Sequence, residues 1–558
     1  MNKRRAERLK KIKEKKSSIA IFRSNMTGCD AEQVKSAAST AGGSVPSAGD
    51  DFYGHVNDAW MSDPENCIPD EYSLWGGFTK LHDEGLKKQI AIVEALVESD
   101  PASLSDEERK IAAIWHASMN LRFKAWEEGK GDLSELVKEL RVLDEYLPDK
   151  LADGDDDGAL VDAIAKYFWY TQISGIRNVL DLDKGSDLKN VNNVILDLSA
   201  CGLSLPSREY YTEENFEEKR TLFKTHLNNV KMLVESSGFH LGDTFVDDVV
   251  AYEHSIASFS MKRAHAREYH RYYTNTTLED VASSKINELK YLDEKEEYYE
   301  EDDRKFEFSD SGIERVSRFF NAIYEASNIK SILEKNMEKN FTSKNVADPP
   351  SVHQITTYDG DGIRRTIRKL LDASSFSQYK SFMKYKIATR LSSFCTKAYD
   401  EEFFDFYSRK LRGQAEQKSN TKRSIAVVNQ YAGEMNGKIF VSRYFSEDSK
   451  ENVKTMIAQV LKIMETSLRK NDWLTESTKE KALQKLSKFR VKIGKCLLQK
   501  ILSGFMLTMV WSRLPRCLER LQRIHAQHRR LSLRHIQKGN CMEIENGFFR
   551  ENQQRTGP

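Results

Sequence analysis

Histidine is the residue type in this chain whose spacing could create a metal centre. Two histidines four positions apart lie on one face of a helix and can chelate Zn²⁺, while a Glu directly after the first His can act as general base on the bound water. None of the twelve histidines starts such a His-Glu-x-x-His pattern within the 558 residues. We therefore predict no catalytic residue, no metal ligand and no cofactor held by this chain.

Two histidine pairs come close to that spacing. His265 and His270 are five residues apart, which at helical pitch places the imidazoles about 140° apart around the axis. His525 and His528 are three residues apart, but no Glu and no third ligand accompanies them. We interpret the first pair as surface residues and predict no metal site at either.

An acidic segment matches the first half of a calcium loop. Asp153–Gly158 places carboxylates at alternate positions before a glycine, as the first half of such a loop requires. Ile164 stands where the loop needs a bidentate Glu, so we interpret the segment as an acidic turn before a helix. The chain also contains no P-loop, no dinucleotide-binding glycine pattern and no serine nucleophile elbow.

The elements that would position functional residues are predicted to be mostly helical. Apolar residues recur at steps of three and four from Val453 to Leu468, which is typical of a helix whose apolar face packs into a core. A second helix is predicted after Asn471, with Thr475 as its N-cap residue. Short strand signals occur at Val194–Leu196, Lys438–Val441 and Phe489–Ile493. The expected fold is mainly α with few short strands.

The net charge of +1 conceals three unequal regions. Residues 1–16 carry nine Lys or Arg against two Glu, and residues 495–558 carry twelve basic against four acidic residues, which leaves −14 for residues 17–494. Basic ends could contact the phosphates of a nucleic acid, but few aromatic residues interleave with them and no nucleic-acid-binding motif is present. No nucleic-acid partner is expected.

Composition divides the chain into three parts. Residues 1–50 are interpreted as a disordered basic arm with a Ser/Gly/Ala linker, residues 51–494 as the folded body, and residues 495–558 as a basic tail with poor amphipathic order. No apolar run reaches the roughly 18 to 20 residues of a membrane span, and the apolar patch Ile19–Phe22 is too short for a signal peptide. We expect a soluble body and assign no compartment.

Four segments together resemble the amino-terminal domain of the neprilysin and endothelin-converting enzyme family of zinc metallopeptidases. The first is Asp51–Trp60 with the following Ile68-Pro69 and Trp75–Phe78, and the second is Ile195–Tyr211, which contains a Gly-Leu-x-Leu-Pro-x-Arg-x-Tyr-Tyr signature. The others are Ala398–Tyr407 with Gly413, and the segments Gly437–Phe445 and Thr478–Gly494. Their order and spacing also agree, so the resemblance covers residues 51–494.

The resemblance implies the large helical lobe of a two-lobed metallopeptidase. Complete members bind zinc through a His-Glu-x-x-His helix and a downstream carboxylate, and hydrolyse peptides that enter a central cavity. We therefore expect the amino-terminal lobe of a zinc metalloendopeptidase that is inactive alone and acts on peptides only with a complete catalytic lobe. The alternative is a non-catalytic peptide-binding or assembly partner of a full-length relative. Because the pattern stops at Gly494, residues 495–558 are interpreted as the product of a reading-frame change, a retained intron or a mis-spliced end.

The resemblance also places residues on a possible wall of the substrate cleft. In neprilysin-type members an Arg shortly after the Ile-Pro pair, and another eight positions later, help to grip the substrate. Alignment on Ile68-Pro69 and Phe78 puts Leu74 and His82 at those positions, with Thr79 on the same wall. Because Leu74 cannot form a bidentate contact with a carboxylate, we expect a preference for internal peptide bonds over carboxy-terminal dipeptides.

Overall fold

The computed structural model describes residues 46–149, 157–189, 194–282, 308–327 and 354–494. Its contacts divide the chain into two compact units. Among the described residues, the larger unit comprises residues 46–83 and 126–419, and the smaller unit comprises residues 84–125 and 420–494.

The larger unit is built mainly from helices. Helix α1 (Phe52–Met61) begins at Asp51, whose side chain accepts a hydrogen bond from the Gly54 amide and so caps the helix. Helix α2 (Gly77–Glu98) crosses into the smaller unit. The remaining helices are α4 (Lys124–Glu127), α5 (Ser134–Tyr146), α6 (Asp157–Ser174), α7 (Glu209–Thr212), α8 (Glu217–Glu235), α9 (Phe245–Phe259), α10 (Arg263–Ala266), α11 (Tyr269–Tyr272), α12 (Leu278–Ala282), α13 (Asp310–Ser327), α14 (Gly360–Leu371), α15 (Phe376–Leu391) and α16 (Lys397–Phe404).

Four short strands form one sheet in the larger unit. They are β1 (Leu180–Ser186), β2 (Val194–Ala200), β3 (Thr274–Thr277) and β4 (Gln354–Thr357), in the order β1-β2-β4-β3. Strands β1 and β2 pair antiparallel, β2 and β4 pair parallel, and β4 and β3 pair antiparallel. The sheet therefore joins segments that are far apart in sequence.

One hydrophobic core runs through the larger unit. Helix α13 packs on α6, and helix α9 packs on α15. Phe168, Phe319, Tyr252 and Phe382 lie in this core, and their rings contact one another in the two pairs Phe168–Phe319 and Tyr252–Phe382. Burial of such large side chains is the dominant favourable contribution to folding.

The smaller unit is an all-helical arrangement. It contains most of α2, α3 (Asp106–His116) with a π-helical continuation (Ala117–Phe123), α17 (Asn420–Tyr444), α18 (Glu447–Lys470) and α19 (Glu476–Ser487). A compact cluster that includes Ile92, Ile111 and Val428 joins α2, α3 and α17. Helices α18 and α19 pack on each other, yet neither contains a buried residue.

The mainly α fold predicted from the sequence is confirmed, as are several of its elements. The signal at Val194–Leu196 lies in β2, and Thr475 caps α19 by accepting a hydrogen bond from the Thr478 amide. The strand predicted at Lys438–Val441 is wrong, because these residues lie inside α17. Ile439 and Phe440 pack against the cluster of the smaller unit, so helical packing overrides their strand propensity.

Two further expectations are corrected. Residues 489–493 form no strand, and Phe489 is exposed. The periodic apolar segment from Val453 to Leu468 does form a helix, α18, but its apolar face does not enter a core among the described residues. Within the same residues, no helix is long and apolar enough to cross a membrane.

Candidate functional site

The turn after β2 contains the Gly-Leu-Ser-Leu-Pro segment at residues 202–206. Gly202 has a φ of 98°, and a Cβ atom at this position would lie 2.7 Å from the Asn178 carbonyl oxygen. Glycine alone adopts such a conformation at no steric cost. Leu205 is buried, so the turn is held by its backbone conformation and by packing.

A buried ion pair lies beside this turn. Lys386 Nζ of α15 lies 2.9 Å from Glu253 Oε1 of α9, and the side chains are 5% and 0% exposed. The Glu253 carboxylate also accepts hydrogen bonds from the Tyr211 and Ser204 hydroxyls, at 2.5 and 2.6 Å. Loss of solvation lowers the pKa of Lys386, whereas the Glu253 charge acts in the opposite direction. This network anchors the turn to two core helices.

The close approach of Ser204 and Lys386 resembles that of a serine nucleophile and a lysine base. Their Oγ and Nζ atoms lie 2.5 Å apart, a distance at which a neutral lysine could act as base toward a serine nucleophile. Glu253 contacts both groups and favours the charged ammonium, which has no lone pair to accept a proton. We therefore assign Ser204, Glu253 and Lys386 a structural role, which is to hold the turn after β2 against the core helices.

A second polar network connects three helices. The Tyr385 and Tyr407 hydroxyls are 2.8 Å apart, and His226 Nε2 lies 3.1 Å from the Tyr385 hydroxyl. His226 Nδ1 lies 2.8 Å from Glu402 Oε1. Because a carboxylate only accepts hydrogen bonds, Nδ1 carries the hydrogen and Nε2 accepts one from Tyr385. Loss of solvation lowers the pKa of His226, against the opposite effect of Glu402, and so favours the neutral imidazole.

Glu402 faces a surface cavity of about 780 Å³. The cavity lies between α8, which contributes Asn229 and Leu233, and α16 with its π-helical continuation (Asp405–Lys410). A cavity of this volume is in the range that accommodates a small organic ligand or a few residues of a peptide.

The residues predicted to line a substrate cleft lie at the start of α2. Leu74 precedes the helix and is 63% exposed. Thr79 and His82 are three residues apart in the helix, and positions with this spacing lie on the same face. His82 is exposed, while Thr79 is half-buried. Phe78 and Leu81 lie in the same turns of the helix and are also exposed. The start of α2 therefore presents apolar side chains next to His82.

The histidine pair at 265 and 270 does not occupy one helix. His265 lies in α10 and His270 in α11, because the chain turns between them. The former is half-buried and the latter exposed. His525 and His528 lie outside the described residues, and so does most of the acidic segment at 153–158.

The calcium-like pattern ends inside a helix, because helix α6 begins at Asp157. Ile164 is 1% exposed in the core. A buried aliphatic side chain therefore occupies the position at which a calcium loop needs a carboxylate.

The donor set for zinc can be tested on the described residues alone. Within them, no group of three or more His, Cys, Asp or Glu side chains could hold a metal ion. Structural and catalytic zinc sites need at least three such protein ligands. The described residues therefore provide no ligand set of that size for a zinc ion.

Sequence reasoning missed both polar networks. Glu253 and Lys386 directly follow the core aromatic residues Tyr252 and Tyr385, and a charged residue within an apolar helical face is a signal of pairing. The partners cannot be read from the sequence, because 133 residues separate them. His226 and Glu402 are separated by 176 residues.

The chain matches a known peptidase family over most of its length. The family model described as peptidase family M13 matches residues 48–495. The chain belongs to peptidase family M13. The resemblance to the neprilysin and endothelin-converting enzyme family of zinc metallopeptidases is thereby confirmed.

Individual M13 relatives are distant. Endothelin-converting enzyme 1 of Rattus norvegicus is 23% identical over 465 residues, which cover 80% of this chain and 50% of that protein. Neutral endopeptidase of Lactobacillus helveticus is 29% identical over 126 residues, or 23% of this chain and 19% of that protein. The chain thus spans about half the length of endothelin-converting enzyme 1.

Two solved structures share the M13 fold. The Mycobacterium tuberculosis zinc metalloprotease Zmp1, in complex with an inhibitor, has a TM-score of 0.59 at 20% identity and covers 81% of this chain and 58% of its own. PepO from Lactobacillus rhamnosis HN001 has a TM-score of 0.59 at 16% identity and covers 82% and 61%. At these identities the likeness concerns the fold alone.

Proposed function

We propose that the M13 region of this chain is the amino-terminal lobe of a zinc metalloendopeptidase, and that the chain does not hydrolyse peptides by itself. The family match to residues 48–495 carries the proposal. It assigns a zinc metallopeptidase of the M13 kind, while the expected His-Glu-x-x-His pattern is absent from the 558 residues. Zinc and the general base would then come from a second, catalytic lobe.

Exposed apolar surfaces support this proposal. In the larger unit, the first helix and the start of α2 expose large side chains, namely Phe52, Tyr53, Phe78 and Leu81. In the smaller unit, α18 and the segment after it expose Met456, Val460, Ile463, Met464 and Trp473. Contiguous exposed apolar residues mark surfaces that another protein region covers, and a catalytic lobe would cover them.

The proposal includes the cleft wall formed by Leu74, Thr79 and His82. Leu74 offers an aliphatic surface where a guanidinium would bind the terminal carboxylate of a peptide in two-point fashion. Substrates would therefore be held along their length, and internal bonds would be cleaved in preference to carboxy-terminal dipeptides.

The decisive experiment measures zinc content and hydrolysis of a quenched peptide by the purified chain. We expect no stoichiometric zinc and no turnover, with a complete M13 peptidase as positive control in the same buffer. Zinc at one equivalent together with turnover would overturn the proposal. Circular dichroism of the same sample establishes that the chain is folded.

The cleft wall is tested by binding. We expect the unaltered chain to bind a peptide with a free carboxy terminus no better than its amide, and Leu74→Arg to favour the free acid about fivefold through a charge-assisted contact. Ile463→Arg is the matched control, because it adds the same charge to an exposed apolar position of the smaller unit. Equal preferences in all three proteins would remove Leu74 from the wall.

A further inference from the structure

The cavity between α8 and α16 contains a carboxylate, that of Glu402, which pairs with no Lys or Arg among the described contacts. The Glu402 side chain is 14% exposed, and its two oxygens accept hydrogen bonds from His226 Nδ1 and Asn229 Nδ2 at 2.8 and 2.9 Å. The Asn229 amide carries no charge, and loss of solvation lowers the pKa of His226, which favours its neutral form. Burying a negative charge with only neutral partners is costly, and a cation in the cavity would offset that cost.

The other carboxylates of the cavity differ in this respect. Asp405 pairs with Arg409 and Lys410 at 2.7 and 2.6 Å, and Glu401 pairs with Lys397 at 3.6 Å. Glu416 lies on the cavity lining and is exposed, and among the described contacts its carboxylate has no cationic partner. Attraction for an incoming cation is therefore concentrated at Glu402 and Glu416.

The remaining lining suits the stem of a long basic side chain. Leu233, Met232 and Phe404 contribute apolar surface. The Arg409 guanidinium already lies over the Phe404 ring, 5.1 Å from its centroid, while it pairs with Asp405. Arg409 is thus an example, within this wall, of a guanidinium that stacks on an aromatic ring beside a carboxylate.

We propose that this cavity binds an arginine or lysine side chain of a peptide, with the cationic group at Glu402 and Glu416 and the aliphatic stem along Leu233 and Phe404. Binding of a cationic side chain at this cavity needs neither zinc nor hydrolysis. Its failure is therefore distinguishable from failure of the proposed peptidase function.

The test uses the full chain and two peptides, acetyl-Ala-Ala-Arg-Ala-Ala-amide and the same peptide with neutral citrulline in place of Arg. We expect the arginine peptide to bind at least tenfold more tightly, because a charge-assisted hydrogen bond is about twice as strong as a neutral one and the buried charge is relieved. Isothermal titration calorimetry at low ionic strength measures both. Equal affinity for the two peptides would overturn the proposal.

Three variants locate the site. Glu402→Gln should weaken binding of the arginine peptide about tenfold, and Glu416→Gln about threefold, because the latter carboxylate is more exposed. Glu465→Gln, an exposed position in α18 of the smaller unit, removes the same charge elsewhere and should have no effect. Equal losses in all three variants would indicate unspecific attraction to an acidic protein and would contradict the site.

An independent readout comes from His226. The Glu402 charge raises the pKa of this imidazole, against the larger effect of burial. A cation bound at Glu402 should therefore lower the pKa of His226 further, which histidine-selective NMR measures during a pH titration with and without the arginine peptide. An unchanged His226 titration at saturating peptide would place the peptide outside this cavity. This measurement uses the unaltered chain, so it does not depend on the folding of any variant.

Discussion

The two units differ in how they deal with charge and apolar surface. The larger unit buries ionisable groups deep in a continuous core, as at Glu253 and Lys386. In the described part of the smaller unit, ion pairs such as that between Arg469 and Glu465 lie on the surface, and two helices contain no buried residue. Among the described residues, the larger unit therefore buries both its charges and its apolar side chains, whereas α18 and α19 leave an apolar face exposed.

The largest expected difference concerns ion pairs. Glu253→Gln should lower the free energy of unfolding by about 3–5 kcal/mol, because it leaves the Lys386 charge buried without a partner. Glu465→Gln, which breaks an exposed pair in α18, should change it by less than about 1 kcal/mol. Urea unfolding followed by circular dichroism measures both. Similar values for the two variants would remove the distinction between the units.

A comparison of apolar truncations comes next. Leu227 is fully buried in α8, whereas Ile463 in α18 is 66% exposed. Leu227→Ala should therefore cost about 2–5 kcal/mol through lost burial and a cavity, while Ile463→Ala should cost less than about 0.5 kcal/mol. The same urea titration applies. A cost above 1 kcal/mol at Ile463 would mean that a partner already covers this face in solution.

Replacing a glycine with alanine should change the free energy of unfolding in opposite directions in the two units. At Gly202, with its positive φ and the nearby Asn178 carbonyl, Ala should cost about 2–4 kcal/mol. At Gly437, inside helix α17 with nothing within 4 Å of the added Cβ, Ala should stabilise by about 0.5–1 kcal/mol. Differential scanning calorimetry resolves both shifts. A destabilised Gly437→Ala variant would show that the added methyl group meets neighbouring atoms around α17.

The smallest expected effect is a pH dependence that originates in the larger unit. Burial raises the pKa of Asp359 to about 6, so the stability that this group contributes is present below its unfolded pKa and is lost as pH rises through about 6. His226, with a lowered pKa, acts in the opposite direction, because its contribution is lost as pH falls below its unfolded value. The two groups therefore partly cancel between pH 5 and 7.

Asp359→Asn separates these contributions while keeping a good N-cap residue for α14. Relative to the unaltered chain, this variant should gain on the order of 1 kcal/mol of stability between pH 5 and pH 7. His226 is present in both proteins, so its contribution cancels in the difference. Urea unfolding at the two pH values provides the measurement, and a pH-independent difference would contradict the burial of an ionisable Asp359.

Local signals predicted local structure well. Thr475 as a cap, the helical period of α18 and the strand at Val194–Leu196 follow from interactions within a few residues. The strand predicted at Lys438–Val441 failed because tertiary packing in α17 overrides local propensity. Periodicity also identified the apolar face of α18, but it did not indicate that this face is exposed among the described residues.

The candidate sites depended on longer-range information. Resemblance to a family supplied the residues proposed to line a cleft, of which Leu74 and His82 are exposed. The neutral partners of Glu402 come from α8, more than 170 residues earlier, and no pattern in the sequence connects them. Only a folded structure shows that this carboxylate is held by neutral donors, and that observation is the basis of the proposed basic-side-chain site.

The pairing of β2 with β4 has a consequence for synthesis on the ribosome. Leu196 pairs with Ile355, so the hairpin of β1 and β2 emerges long before its neighbouring strand. At about 5–20 residues per second, roughly 8–30 s pass before β4 is made. During this interval one edge of β2 is unpaired, and an unpaired strand edge can pair with another chain. Nascent chains of this protein should therefore need protection by a chaperone until β4 has been translated.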